Sequence, residues 1–298
     1  MNQEQRIKNQ ERFLDHLRYE KRLSEHTLTA YACDLDQLAK YLLFQYECGQ
    51  PETATAPMLR SWVVSLVEEG LNTSSVNRKM ATLRSFYGFM RRRQIIADNP
   101  ARNLQSLKTK RKLPAFVEEK AMELLFDEVE FADDFFGLRD RVILEVLYGT
   151  GMRLSELLAL KINNIDTASR LVRVMGKRSK ERLIPITNSL TKLLAQYTEQ
   201  RIPAENTDCL ILTDKYKAAY PVFIQRTVEK HLSAVTTLSQ KSPHVLRHTY
   251  ATHLLNRGAD LNAIKELLGH ASLAATQIYT HNSIEKLKKS HQQAHPKA

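Results

Sequence analysis

The stretch 243–280 reads PHVLRH at 243–248, LLGH at 267–270 and QIYT at 277–280. The basic groups and the tyrosine of these phrases are separated by two segments in which apolar residues recur at helical spacing. Two predicted helices therefore fix how far apart these polar side chains can lie, and the rest of the chain is interpreted around them.

The first of these helices is predicted to begin after Ser242, a good capping residue, and to end at Gly258. Asp260 is predicted to cap the second helix, which Gly269 ends. His270 therefore lies directly after a helix end.

His244 and Arg247 are three residues apart in the first turn of the first helix. They point from one face, near the positive end of the helix dipole, and this arrangement predicts an anion site. Tyr279, delivered beside that site, indicates that the bound anion is an electrophile.

The charge of the chain favours a polyanionic partner. Forty-four Lys and Arg residues against 33 Asp and Glu residues give a formal net charge of +11. Most of the excess lies in residues 71–112, which hold eleven basic side chains and one acidic one. Because apolar residues recur at helical spacing within this segment, it is interpreted as an ordered basic face.

The length of 298 residues, 43% of them hydrophobic, predicts two domains with sizeable cores. Three widely spaced cysteines without a CxxC pair are typical of reduced thiols in a cytosolic protein. No segment resembles a signal peptide or a membrane span, so a cytoplasmic protein without membrane contact is expected.

A helical DNA-binding domain is predicted at residues 1–104, built as a four-helix bundle. Its fourth helix is predicted to begin at Thr73 or Ser74. A lone basic helix is more often a solvated face, but the density of cations here favours contacts with phosphates. The candidate DNA-binding residues are Arg78, Lys79, Arg84, Arg91, Arg92 and Arg93.

A basic linker is predicted at 105–114, after Asn99-Pro100 breaks the fourth helix, so the second domain spans 115–298. Within that domain, short strands are predicted at 171–175 and 182–186. The polar turn between the strands carries Lys177, which can reach a neighbouring site, although most turn lysines face water.

Arg153 follows the glycine turn at 149–151 and begins a predicted helix. A guanidinium in this place can bind two phosphate oxygens. A structural salt bridge to Glu156 is the alternative interpretation.

These residues resemble a known family, the tyrosine recombinases, also called the lambda-integrase family. The likeness rests on six catalytic-type residues in the family's order and spacing, namely Arg153, Lys177, His244, Arg247, His270 and Tyr279. The surrounding phrases, such as GTGMRLSEL at 149–157, are most similar to the bacterial Xer branch. The likeness covers essentially the whole chain, with no departure at the six positions.

The resemblance implies a mainly α fold with a small β-sheet, in the α+β class. It implies a two-domain clamp around duplex DNA, made of a four-helix, SAM-like core-binding domain and a catalytic domain that carries a C-terminal docking helix. Tyr279 would be the nucleophile and Lys177 the general acid. Arg153, Arg247, His244 and His270 would hold the phosphate oxygens.

The implied reaction is site-specific DNA recombination through a 3′-phosphotyrosyl intermediate and a Holliday junction, without metal, ATP or any other cofactor. The implied partners are double-stranded DNA, a related recombinase in a homo- or hetero-tetramer on two sites, and an FtsK-type DNA translocase. Resolution of chromosome dimers, a step in chromosome partition and cell division, is the expected task.

Three alternatives stay open from the sequence: a mobile-element integrase of the same family, a DNA-binding protein that does not cut, and a type IB topoisomerase. A zinc site on His244, His248 and His253 is disfavoured, because Arg247 would repel a cation. His248 and His253 are better interpreted as packing or hydrogen-bonding residues.

Overall fold

A computed structural model describes residues 3–109, 115–176, 181–203, 207–269 and 293–294, with the side chains of residues 3–7 excepted. The described chain divides into two compact units, Met1–Lys112 and Leu113–Ala298. Each unit has a hydrophobic core of its own.

The N-terminal unit is a helical bundle. Its α-helices are α1 (Gln3–Asp15), α2 (Glu25–Tyr46), α3 (Ala56–Glu68) and α4 (Thr73–Arg92), with a π-helical turn at His16–Glu20 and a 3-10 turn at Pro51–Thr53. Phe13, Trp62, Phe86 and Tyr87 are at most 2% exposed and form the centre of its core. Large aromatic side chains of this kind contribute most of the apolar area that a small bundle can bury.

The starts of these helices follow from capping side chains. Ser24 accepts a hydrogen bond from the Thr27 amide at the start of α2. Helix α4 begins at Thr73, the earlier of the two predicted positions, and the side chain of Asn72 caps it by accepting from the Ser75 amide at 2.8 Å. Asn is as good a cap as Ser or Thr, so three adjacent candidates made this boundary ambiguous in the sequence.

The C-terminal unit packs seven described helices around one core. They are α5 (Glu119–Asp127), α6 (Phe135–Thr150), α7 (Leu154–Leu158), α8 (Asn188–Gln200), α9 (Pro221–Val235), α10 (Pro243–Asn256) and α11 (Leu261–Leu268), with a 3-10 turn at Ile162–Asn164. Helices α10 and α11 are the two predicted around His244 and His270. The expected C-terminal docking helix, at Ser283 to Leu287 in the sequence, lies outside the described residues, and near the C-terminus Ala294 is buried in the core.

A three-stranded antiparallel sheet completes this unit, in the order β1 (Ile165–Asp166), β2 (Leu171–Met175) and β3 (Glu181–Pro185). Strands β2 and β3 pair from Leu171 opposite Pro185 to Met175 opposite Glu181. The alternation of buried and exposed residues along β2 is the pattern of a strand with one face on the core. The two predicted strands are thus present and paired, and β1 adds a third strand of two residues beside β2.

The fold class is therefore confirmed as mainly α with a small β-sheet. Among the described residues, no helix is long and apolar enough to cross a membrane.

Gly151 brings α6 against the two helices that carry the predicted site. It ends α6 with a φ of +59°, in the left-handed region that glycine adopts without steric cost. A Cβ at this position would overlap Tyr250 Cδ1 on α10 and lie 2.9 Å from Leu268 Cδ2 on α11. A side chain would therefore push apart three elements that meet here.

We expect Gly151→Ala to lower the free energy of unfolding by about 2–5 kcal/mol, since left-handed backbone strain and overpacking add. Gly258→Ala is the matched control, because Gly258 has a φ of +81° and open space around its Cα. The control should lose only the strain, about 1–2 kcal/mol. Urea unfolding of both variants measures the difference, and equal losses would contradict the close packing at Gly151.

Candidate active site

Three of the six predicted catalytic residues lie within the described chain: Arg153, His244 and Arg247. Lys177, His270 and Tyr279 lie outside the described residues, so their placement stays a prediction. His244 is exposed on the first turn of α10, where the sequence places it. The two arginines meet at one point of the C-terminal unit, the end of α11.

Arg153 begins α7 directly after the Gly151 turn and is anchored by Glu156. The Glu156 carboxylate accepts from the Arg153 amide at 2.7 Å and from its Nη1 at 2.8 Å. This is the back-reaching half of a capping box, which satisfies one of the free amides at a helix start. The salt bridge considered in the sequence is therefore present, and it leaves the Arg153 side chain 23% exposed.

Arg247 is buried and hydrogen-bonded to backbone carbonyls. Its Nη1 donates to the Gly151 oxygen and its Nη2 to the Leu268 oxygen, both at 2.6 Å. Burial, followed by the nearby charge of Arg153, lowers the pKa of Arg247 to about 10. The side chain still carries its positive charge at neutral pH.

Arg182 on β3 is a third arginine in this group, and it was not among the predicted site residues. Its Nη1 and Nη2 donate to the two oxygens of Glu156, both at 2.8 Å, and its Nε donates to the Leu267 oxygen at 2.9 Å. The side chain is 5% exposed. A local pattern could not reveal it, because its partners lie 26 and 85 residues away in the chain.

The three arginines cap three consecutive carbonyls at the end of α11. Arg182 holds the oxygen of Leu267, Arg247 that of Leu268, and Arg153 that of Gly269 at 3.3 Å. The last carbonyls of a helix have no partner within the helix and form the negative end of its dipole. Cationic donors are therefore well suited to this place, which directly precedes His270 in the sequence.

His253 on α10 has a packing and hydrogen-bonding role, as the sequence interpretation expects. Its Nδ1 lies 2.9 Å from the Tyr148 hydroxyl, and burial lowers the pKa of the imidazole. His248 is half-buried on the same helix. Within the described part of the chain, no group of three or more His, Cys, Asp or Glu side chains could hold a metal ion.

The buried carboxylate of Asp34 on α2 binds two of the predicted DNA-binding residues on the basic face of α4. It accepts from Arg78 at 2.6 and 2.8 Å, from Lys79 at 2.9 Å and from Thr82 at 2.7 Å. Burial alone would raise the pKa of Asp34, but these donors hold it below its usual value. The Arg78 side chain stays 47% exposed, whereas that of Lys79 is 7% exposed. This geometry favours a structural role for Lys79 and leaves an edge of Arg78 accessible.

The other basic residues of this face differ in how they are held. Arg84 is half-buried and donates to the Leu104 oxygen at 2.6 Å. Arg91 and Arg92 are exposed at the end of α4.

Arg93, the residue after α4, is also exposed. It pairs with Glu20 at 2.9 Å, and its guanidinium lies 5.7 Å from the centre of the Phe89 ring. Contacts between the six basic side chains and DNA stay a prediction.

Each of the two units matches a known domain family. The Phage integrase family matches residues 115–286, and the N-terminal SAM-like domain of phage integrases matches residues 11–94. The chain is 35% identical to Tyrosine recombinase XerC of Chlorobaculum parvum, over 97% of this chain and 94% of that protein. It is 39% identical to Tyrosine recombinase XerC of Pelobacter propionicus, over 95% of this chain and 93% of that protein.

A solved structure has the same fold. It is that of the XerH site-specific recombinase bound to a palindromic difH substrate, with a TM-score of 0.70 and 22% identity over 88% of this chain and 78% of that one. The chain belongs to the phage integrase family and is a tyrosine recombinase. The resemblance seen in the sequence is thereby confirmed, and both of these relatives carry the name Tyrosine recombinase XerC.

The buried carboxylate of Glu156 predicts a pH-dependent contribution to stability. Burial alone would raise its pKa, but the hydrogen bonds from Arg182 and Arg153 outweigh burial and lower the pKa from 4.5 to about 2. Between these values the folded protein binds fewer protons than the unfolded chain, so stability rises with pH. The contribution, about 3 kcal/mol, is complete above about pH 4.5 and is lost as the pH falls towards 2.

We expect Glu156→Gln to lack this contribution, so its deficit in unfolding free energy should shrink as the pH falls from 5 to 3. Urea unfolding of both proteins across this range measures the deficit. Glu119→Gln is the control, because Glu119 pairs with Arg257 at a half-exposed position and should cost less than about 1 kcal/mol throughout. A Glu156→Gln deficit that is constant from pH 5 to pH 3 would contradict the argument.

Proposed function

We propose that this protein cuts and rejoins duplex DNA at specific sites through a 3′-phosphotyrosyl intermediate on Tyr279 and a Holliday junction, as an Xer-type recombinase. The observation that carries the proposal is the convergence of Arg153 and Arg247 at the end of α11, directly before His270 in the chain. Both guanidinium groups bind carbonyls at 268–269, directly before the segment of the sequence that carries His270 and Tyr279.

A tyrosine nucleophile conserves the energy of the phosphodiester bond. When the Tyr279 oxygen attacks the scissile phosphorus, a phosphotyrosyl ester forms and the bond to the 5′ oxygen breaks. The free 5′-hydroxyl of another strand can later attack this ester and release the tyrosine. The bond energy passes from ester to ester, and for this reason we propose that neither ATP nor a metal ion is required.

Arg153 and Arg247 would stabilise the five-coordinate transition state, in which charge accumulates on the non-bridging oxygens. His244 and His270 would add donors to the same oxygens, and His244 could also accept the Tyr279 proton. Preorganised donors of this kind contribute about 3–4 kcal/mol each in comparable oxyanion sites. The arginines are preorganised here because Glu156 and the carbonyls of Gly151 and 268–269 already fix their planes.

Lys177 is proposed as the general acid that protonates the leaving 5′ oxygen. In the sequence it lies between β2 and β3, which pair up to Met175 opposite Glu181. The paired strands on both sides of Lys177 in the sequence support the proposal that this lysine reaches the scissile bond.

The proposed partners are double-stranded DNA and three further recombinase subunits, identical or related, on two sites. Exposed arginines of the N-terminal unit, Arg78 and 91–93, support contacts with the DNA backbone. A similar fold is seen in a lambda integrase dimer bound to a COC′ core site, with a TM-score of 0.69. We propose chromosome-dimer resolution in the cytoplasm as the task, with an FtsK-type translocase as activator.

Tyr279→Phe tests the covalent step. Nicked suicide substrates, in which the cut strand diffuses away, should trap a protein–DNA adduct that survives denaturation with the wild-type protein. The variant should bind the same DNA but form no adduct, because it lacks the nucleophilic oxygen. Gel electrophoresis of labelled DNA measures both quantities.

Tyr220→Phe is the matched control, since Tyr220 is a half-exposed tyrosine of the same unit before α9 and should form the wild-type amount of adduct. Tight binding without an adduct, on every substrate and with a related partner recombinase present, would favour a DNA-binding protein that does not cut. Relaxation of supercoiled plasmid without a specific site would favour a topoisomerase.

Lys177→Ala tests the general acid. Cleavage of ordinary DNA should slow by about 10²–10⁴-fold, the usual contribution of a positioned acid. A substrate with sulfur in place of the 5′ bridging oxygen should restore the rate, because a thiolate leaves without protonation. If the variant is equally slow on both substrates, Lys177 has another role.

A further inference from the structure

Arg182 is buried and fully engaged, so it is not available to bind DNA itself. The side chain is 5% exposed, and all three guanidinium nitrogens donate hydrogen bonds within the protein. Two of them form a parallel pair with the oxygens of Glu156. This fork geometry is specific to arginine and cannot be reproduced by a lysine.

The charge of the group explains what Arg182 adds. Glu156 contacts both Arg153 and Arg182, and Arg247 contacts only carbonyls among its described hydrogen bonds. Three arginines and one glutamate leave a formal charge of +2. Without Arg182, the carboxylate would be balanced by Arg153 alone, and the group would offer one net positive charge to a phosphate.

Arg182 also holds the end of α11 independently of the other two arginines. Its Nε bond to the Leu267 oxygen comes from β3, whereas Arg153 and Arg247 reach the next two carbonyls from α7 and α10. The packing is close here, since a Cβ on Gly269 would lie 3.1 Å from Arg182 Nη1. The arginine thus lies directly against the residue that precedes His270.

We infer that Arg182 is a positioning residue for DNA cleavage: it neutralises Glu156 and fixes the end of α11, so that Arg153 and Arg247 keep their two positive charges for the scissile phosphate. This inference rests on the proposed function and adds a residue to it. Arg182 touches no reacting atom and acts through Glu156 and the 267–269 backbone.

The test compares Arg182→Gln with wild type on two suicide substrates. One has the ordinary scissile phosphodiester, and the other has a methylphosphonate, in which a methyl group replaces one non-bridging oxygen and removes the negative charge. Release of the leaving strand gives the cleavage rate, and DNA binding and thermal unfolding are measured in parallel. If the variant is slow because positive charge is lost, its defect should be smaller on the uncharged methylphosphonate. If it is slow because the structure is damaged, its defect should be the same on both substrates.

We expect Arg182→Gln to slow cleavage of the phosphodiester by about tenfold to a hundredfold, less than the loss of a direct oxyanion donor. On the methylphosphonate the defect should shrink to about threefold or less, because less charge develops there. Adding Glu156→Gln to Arg182→Gln should recover part of the phosphodiester rate, since it removes the carboxylate that would otherwise neutralise Arg153. This double variant also avoids an unpaired buried carboxylate, which protects the test against misfolding.

Arg139→Gln is the matched control. Arg139 is also buried in the C-terminal unit and pairs with Asp140 and Asp214, away from the end of α11. Its loss should affect stability, and any loss of cleavage should be the same factor on both substrates.

Equal defects of Arg182→Gln on the two substrates, or an unchanged phosphodiester rate, would overturn the inference. So would a double variant no faster than Arg182→Gln. Wild-type cleavage is measured in the same series, so its absence would instead contradict the proposed function.

Discussion

The structure of the C-terminal unit depends on the capping of three consecutive carbonyls, 267–269, by Arg182, Arg247 and Arg153. A helix end buried without partners would leave these carbonyls desolvated and unsatisfied, at a cost of about 1–3 kcal/mol each. The three arginines come from β3, α10 and α7, so this single helix end ties together elements that are distant in the sequence. The same contacts bring two of the predicted catalytic residues, Arg153 and Arg247, to one point.

Such a concentration of positive charge is tolerated because each guanidinium has acceptors fixed in its plane. The pKa of Arg247 falls only to about 10 despite burial and the charge of Arg153, so the site stays cationic. Glu156 reduces the repulsion, and its own low pKa shows how strongly the arginines stabilise its ionised form. One carboxylate among three cations is thus a compromise between folding, which favours neutral clusters, and the proposed phosphate binding, which needs excess positive charge.

Much of this arrangement could be predicted from local patterns in the sequence. The cap at Asp260 and the glycine stops at 151 and 269 act over a few residues, and the end of α6 and both ends of α11 follow from them. Contacts between distant segments have no such local signal. Arg182 stands in the strand sequence ERLIP at 181–185, where no local feature indicates its partners, and only the folded chain shows that it meets Glu156 and α11.

The same limit applies to the basic face of α4. Spacing and charge predict that Arg78 and Lys79 share one helix, but not that the buried carboxylate of Asp34 binds both. A sequence pattern shows which residues are charged. Whether a basic side chain is accessible to DNA depends on where the acidic side chains lie in the folded protein. An arginine can meet both demands because its guanidinium has five N–H donors, and Arg78 uses two on Asp34 while staying 47% exposed. Lys79 places its single ammonium group inside the protein. The same reasoning explains why Arg153 and Arg247 can bind backbone carbonyls and still have N–H groups to offer a phosphate, a combination that lysine could not supply.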